Sequence, residues 1–239
     1  MADPRARRAG VLLISGALLA NLAFAGLSVV FGYPDVLQRP PAGVLRDFAA
    51  QPVAIGGLFA LLALGAGLIG PAAFDLARVA GPGRWSRWAL GLGVAASAVQ
   101  VAGLLRWPLL VPSLAAAASA PGATAAEVTA AADRFALLNL VAGQLVGESL
   151  GYVLTAGWTA ATVLALGRAL PAWSRVAGLA CVPPILAGLL VPLGWEPADL
   201  VNFAGYILWS LWLLALGALL LAGRVGPGAV SGSRGRADN

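Results

Sequence analysis

The chain of 239 residues is 60% hydrophobic and only 10% charged, carries a net charge of +5 and has a mean hydropathy of +0.87. Soluble domains average about 25% charged residues, so the composition excludes an ordinary soluble globule and points to a membrane protein. The chain has no His and one cysteine, Cys181, which removes the commonest proton shuttle, an internal disulfide and any cysteine-rich metal site.

A basic segment, residues 1–9 with Arg5, Arg7 and Arg8, precedes a first predicted span at about residues 10–32. Ala23-Phe24-Ala25 has the form of a signal-peptidase site, but the apolar run continues to Phe31 and five more spans follow. A retained helix is therefore expected. Residues 33–51 are polar and contain Pro34, Pro40 and Pro41. Within them Val44, Leu45 and Phe48 recur at helical spacing opposite Arg46 and Asp47. This reads either as a short amphipathic helix on the membrane surface or as an ordered loop.

The second span, about 52–80, should kink at Pro71, and Asp75 with Arg78 at its end reads as a surface ion pair. Gly81-Pro82-Gly83 and the basic aromatic turn from Arg84 to Trp88 lead into a third span at about 88–111, which contains Gln100 and Arg106. A small-residue connection, 115–132, holds a turn at Pro121-Gly122 and a helix over about 123–133. The fourth span, about 135–167, exceeds the roughly 30 Å hydrocarbon core at about 1.5 Å per residue, so it should tilt or protrude. A fifth span at about 173–193 is kinked at Pro183-Pro184, and a sixth covers about 200–222. Residues 223–239, rich in Gly, Ser and Arg, read as a disordered cytoplasmic tail.

Arginine placement sets orientation. Arg5, Arg7, Arg8, Arg78, Arg84, Arg87, Arg168, Arg175, Arg224, Arg234 and Arg236 fall on one side, against Arg39, Arg46 and Arg134 on the other. The expected fold is thus all-α: an integral membrane bundle of six transmembrane helices, one domain over 10–222, with both termini cytoplasmic and the protein in the cell membrane. The same bias explains the sequence pI near 10.6 without nucleic acid.

Polar residues inside the spans are costly and so mark candidate sites. Gln144, Glu148 and Tyr152 follow at i, i+4 and i+8 and would share one α-helical face. Arg106 lies about 27 Å along its helix from Trp88, and Glu148 about 30 Å from Arg168, which brings both to similar depth in the outer third. Asn202 and Tyr206 lie near the outer end of the sixth span, with Gln100 and Asn21 deeper. Together they would line an outward-opening polar pocket. Gly143, Gly147 and Gly151 beside the stripe suit close helix packing. Trp85, Trp88, Trp107, Trp173 and Trp195 lie near span ends and read as interfacial anchors. No nucleotide-binding loop, nucleophile elbow, metal-ligand cluster or cofactor motif occurs.

Several stretches in order resemble the bacterial membrane proteins grouped as the DUF4386 family, a domain of unknown function. They are Gly32-Tyr33-Pro34-Asp35-Val36-Leu37, Leu105-Arg106-Trp107-Pro108, Gly147-Glu148-Ser149-Leu150-Gly151-Tyr152, and the run from Asn202 to Trp212. The resemblance covers about residues 8–222 and implies a multi-span membrane protein without supplying an activity. Relatives in that group can carry His where this chain has Ser149, which leaves Glu148 here without a titratable neighbour.

Three uses of Arg106 and Glu148 stay open: a structural ion pair, a ligand or ion pocket, and acid–base catalysis by Glu148. The reading adopted is a non-enzymatic membrane protein whose outer-leaflet pocket, built from Arg106, Gln144, Glu148, Tyr152, Asn202 and Tyr206, binds a small or lipid-like ligand. A secondary transporter, a membrane-embedded enzyme acting on a lipid-soluble substrate, and an accessory subunit packing on another membrane protein or on a second copy are the rivals.

Overall fold

Leu, Ala and Val dominate the apolar runs, and in hydrocarbon a helix is the one open-ended structure that satisfies its own backbone. A computed structural model describes residues 3–225, and every regular element among them is helical. The expected disordered tail falls mostly outside the described residues. Six helical stretches are long and apolar enough to cross a bilayer: Pro4–Phe31, Pro52–Ala80, Arg84–Ala118, Ala125–Ala169, Ala172–Leu193 and Ala198–Leu221. Large apolar side chains stand exposed along them, including Val29 and Val53, each 88% exposed. Such a surface suits lipid and not water. The chain is a multi-pass integral membrane protein.

The elements in chain order are α1 (Pro4–Phe31), α2 (Pro41–Ala50), α3 (Pro52–Gly67), α4 (Ile69–Ala80), α5 (Arg84–Leu109), α6 (Val111–Ala118), α7 (Ala125–Leu138), a π-helical segment (Asn139–Leu150), α8 (Gly151–Leu166), α9 (Ala172–Ala180), α10 (Val182–Ala187) and α11 (Ala198–Leu221). The second span breaks at Leu68, between α3 and α4. Pro71 lies just beyond: it lacks a donor for Gly67 and its ring crowds that carbonyl. The fourth span departs further from expectation, because twelve of its residues close i→i+5 rings instead of i→i+4.

The chain divides into two compact units. Among the described residues the first comprises 3–17, 67–98 and 149–225. Its core gathers Leu13 of α1, Leu76 of α4, Trp158 of α8, Ile185 of α10 and Leu213 and Leu216 of α11. Gly10 and Gly217 let α1 and α11 touch, since a Cβ on Gly10 would stand 2.8 Å from the Gly217 carbonyl oxygen. Asp75, 1% exposed at its side chain, accepts two hydrogen bonds from Arg8, from Nε at 2.5 Å and Nη2 at 2.6 Å. The expected Asp75–Arg78 surface pair is therefore corrected. Asp75 faces inward from α4, and Arg78 lies over the Phe74 ring at 5.0 Å.

The fifth span belongs wholly to this unit and is a broken rod. Pro183-Pro184 cannot donate, so α9 ends at Ala180, α10 restarts at Val182, and a 3-10 stretch, Gly188–Leu193, follows.

The second unit comprises residues 18–66 and 99–148. Its centre is Trp107, fully buried. The indole stacks on Phe59 at 4.6 Å and 3°, and on Phe48 at 6.0 Å. Phe31 and Phe135 meet it edge-on at 5.2 and 5.7 Å. Trp107 is thus a core residue, contrary to the anchor expectation, whereas Trp88, Trp173 and Trp195 remain 60%, 55% and 46% exposed. The amphipathic segment is a helix, α2, but its apolar face is covered by protein. Val44, Leu45 and Phe48 are buried in this core, and α2 packs on α6 and α7. Arg39 and Asp47 pair on its outer side at 3.1 Å.

Trp107→Ala should cost about 3–5 kcal/mol of stability, the range for emptying a large aromatic site. Trp88→Ala, at an exposed position, should change it by less than about 0.5 kcal/mol. Unfolding of the two purified variants in detergent, followed by far-ultraviolet circular dichroism, measures the contrast.

Candidate functional site

Burying a guanidinium demands hydrogen bonds and countercharge from whatever surrounds it. Arg106, near the end of α5, is 5% exposed. Its Nη1 donates to the carbonyl oxygen of Gly103, one turn back, at 2.5 Å. Its Nη2 donates to Asn139 Oδ1 at 2.9 Å, and its Cζ lies 5.4 Å from the Trp107 ring centroid. The carboxylate of Glu148 and the phenol of Tyr33 lie within electrostatic reach of the same guanidinium. All these residues belong to the second unit.

Two glycines make this arrangement possible. A Cβ on Gly143 would lie 2.7 Å from Arg106 Nη2 and 3.0 Å from its Cζ, so the missing side chain is the space the guanidinium occupies. A Cβ on Gly103 would meet Gly147 Cα at 2.9 Å and the Ala142 carbonyl oxygen at 3.0 Å. Here the absent side chain lets two backbones touch, as expected for Gly147.

The π-helical segment explains which side chains reach Arg106. In an α-helix nine residues advance by about 900°, two and a half turns, so Asn139 and Glu148 would stand on opposite sides. With i→i+5 rings each turn takes more than four residues, and both become neighbours of Arg106. Gln144, expected on the Glu148 face, is instead exposed. The single α-helical stripe from Gln144 through Tyr152 is therefore not formed, because Gln144 and Glu148 lie in the π segment and Tyr152 in α8.

Tyr33 and Asn139 are the site residues that sequence reasoning missed. Tyr33 follows the end of α1 and packs edge-on to Phe59 at 5.3 Å and to Phe24 at 5.7 Å. Its phenol is pushed up to about 12 by burial and by the Glu148 carboxylate, with Arg106 pulling the other way. Trp107 Nε1 and Arg106 Nε are buried donors with no hydrogen-bond partner among the described residues.

Tyr152, Asn202 and Tyr206 belong to the first unit. Buried Asn202 donates from Nδ2 to the Ile185 carbonyl oxygen at 2.7 Å, a carbonyl in the broken fifth span. Gly188 leaves room for this clasp, since a Cβ there would collide with the Tyr152 ring and with Asn202 Nδ2. The Tyr152 and Tyr206 rings lie 5.8 Å apart, and Tyr206 meets Trp209 edge-on at 5.9 Å. Trp209 Nε1 donates to Thr159 Oγ1 at 2.8 Å. This set is an aromatic and hydrogen-bonded wall joining α8, α10 and α11.

Two surface concavities, of about 340 and 300 Å³, lie elsewhere. The larger is lined by the turn between α4 and α5, the smaller by the turn between α6 and α7, and none of the six candidates lines either. Comparison with protein-family models, with curated proteins and with solved structures finds no match to this chain.

Gly103→Ala should destabilise more than Gly143→Ala, because the first drives a methyl into backbone and the second into a side chain that can shift. Gly143→Ala should still cost about 1–3 kcal/mol, the worth of a buried hydrogen bond to a charged group. Gly57→Ala, with nothing within 4 Å of its Cβ, should be neutral or stabilising. Unfolding of the three variants under one condition ranks them.

A second expectation concerns alkali. The folded protein favours the neutral Tyr33 phenol, so this contribution to stability is whole below the ordinary value of 10.0 and is lost as pH rises towards about 12. Phenolate absorbance of the wild type minus Tyr33→Phe should show the Tyr33 step near the upper value. A step near 10 would contradict the burial.

Proposed function

We propose that this is a non-enzymatic protein of the cell membrane, with cytoplasmic termini, that holds a small or lipid-like polar ligand beside Arg106 and Glu148. The observation that carries this reading is the buried Arg106 guanidinium, whose Nε–H, like the Nε1–H of the next residue Trp107, has no hydrogen-bond partner among the described residues. Buried donors without acceptors cost about 1–3 kcal/mol each, and an acceptor-bearing ligand entering there would recover that cost. Glu148 and Tyr33 add an acceptor and a phenol hydroxyl at the same place, which suits a ligand with both donors and acceptors. Tyr33 is no evident acid–base catalyst, since it holds its proton to about 12.

The π segment supports the same reading, because such departures from α geometry in a long helix concentrate at functional positions. Membership of the DUF4386 group, resembled at Arg106, Trp107 and Glu148, is part of the proposal.

Mass spectrometry of molecules that co-purify with the wild type, Arg106→Lys and Glu148→Gln should show a species depleted at least fivefold in both variants. Helicity at 222 nm must match across the three proteins. An identical set of co-purifying molecules in all three would remove the reading.

A further inference from the structure

The turn between α4 and α5 collects cationic groups that no carboxylate answers. Arg78, Arg84 and Arg87 form no ion pair among the described residues, and Asp75, the acid nearest to Arg78 in sequence, is held by Arg8. Arg78 and Arg87 line the cavity of about 340 Å³, together with Gly81, Pro82, Gly83 and Ser86. Arg78 and Arg84 are steadied by aromatic faces, over Phe74 at 5.0 Å and over Trp85 at 4.6 Å.

Two further features converge on the cavity. Ser86 lines it while being 7% exposed, so a hydroxyl of a largely buried residue borders the concavity. Gly83 directly precedes the 26-residue helix α5 and has no side chain with which to cap it. The first amides of α5 therefore have no capping side chain at Gly83 and stand at the positive end of the helix dipole. Guanidinium groups, a hydroxyl and the amide end of a long helix around one concavity are the donor set that a phosphate group takes.

We propose that this cavity binds a phosphate group, carried by an anionic phospholipid headgroup or free in solution. Arg78 and Arg87 supply charge, and Ser86 and the α5 amides fix the oxygens. The site lies wholly in the first unit, apart from the residues around Arg106, so the two proposals stand or fall separately.

The test is native mass spectrometry of the full chain in detergent, with dioleoylphosphatidylglycerol as probe and dioleoylglycerol as its phosphate-free counterpart. The wild type should retain the phospholipid and not the diglyceride. R78Q/R87Q should lower retention roughly tenfold or more, given about 1 kcal/mol for each arginine near an anionic headgroup. R5Q/R7Q, removing exposed charges that do not line the cavity, should retain it as the wild type does. Displacement by millimolar inorganic phosphate would assign the site to phosphate itself, and failure to displace would assign it to the headgroup. Wild-type retention by R78Q/R87Q, or an equal loss in R5Q/R7Q, overturns the proposal. Should R78Q/R87Q lose helicity, the single variants S86A and R87Q decide: each should lower retention at least threefold, and unchanged retention in both overturns it.

Discussion

A guanidinium withdrawn from water sets the terms on which the second unit is built. Arg106 would be prohibitively costly in hydrocarbon on its own, and each surrounding feature lowers that cost. Gly103 gives a carbonyl, Asn139 an amide oxygen, Trp107 a ring face and Glu148 a negative charge. Gly143 gives the volume. The π segment then follows as a geometric need, since no α-helix could turn both Asn139 and Glu148 towards one arginine. The aromatic cluster on Trp107 shields the arrangement from the other side, with α2 folded into the same core.

The first unit solves a different problem, that of irregular backbone at membrane depth. Pro183 and Pro184 remove two backbone donors from the fifth span, and the shortened turns there draw on neighbouring protein for hydrogen bonds. Asn202 adds a donor from α11 to the Ile185 carbonyl oxygen of α10, which also accepts from the Gly188 amide, and Gly188 and Gly205 keep those elements close enough for it. The Tyr152, Tyr206 and Trp209 rings back this contact. Asn202 is in this sense a structural counterpart of Arg106: a polar side chain kept in an apolar span because backbone geometry requires it.

Much of this was legible in the sequence where a single physical signal dominated. Hydropathy located all six spans, proline marked the breaks near residues 68 and 181, and depth counting brought Arg106 to Glu148. The departures from expectation have separate physical causes. At 3.6 residues per turn Gln144 shares the Glu148 face and Asn139 stands opposite, and nothing in the composition of residues 139–150 announces i→i+5 rings. Trp107 was misjudged because position along a span does not reveal whether an adjoining segment folds over it, as α2 does. Asp75 was assigned to its neighbour in sequence when its partner came from another helix.

That last pairing bears on how the chain is made. Arg8 leaves the ribosome 67 residues before Asp75, so the first helix enters the membrane while the carboxylate it will hold does not yet exist. During that interval Arg8 can stay at the water interface, where an exposed arginine costs little. Asp75 has no such refuge once α4 packs, for its side chain is 1% exposed. Burying the Asp75 carboxylate thus requires the first and second spans together, since the guanidinium that holds it comes from a helix 67 residues earlier in the chain.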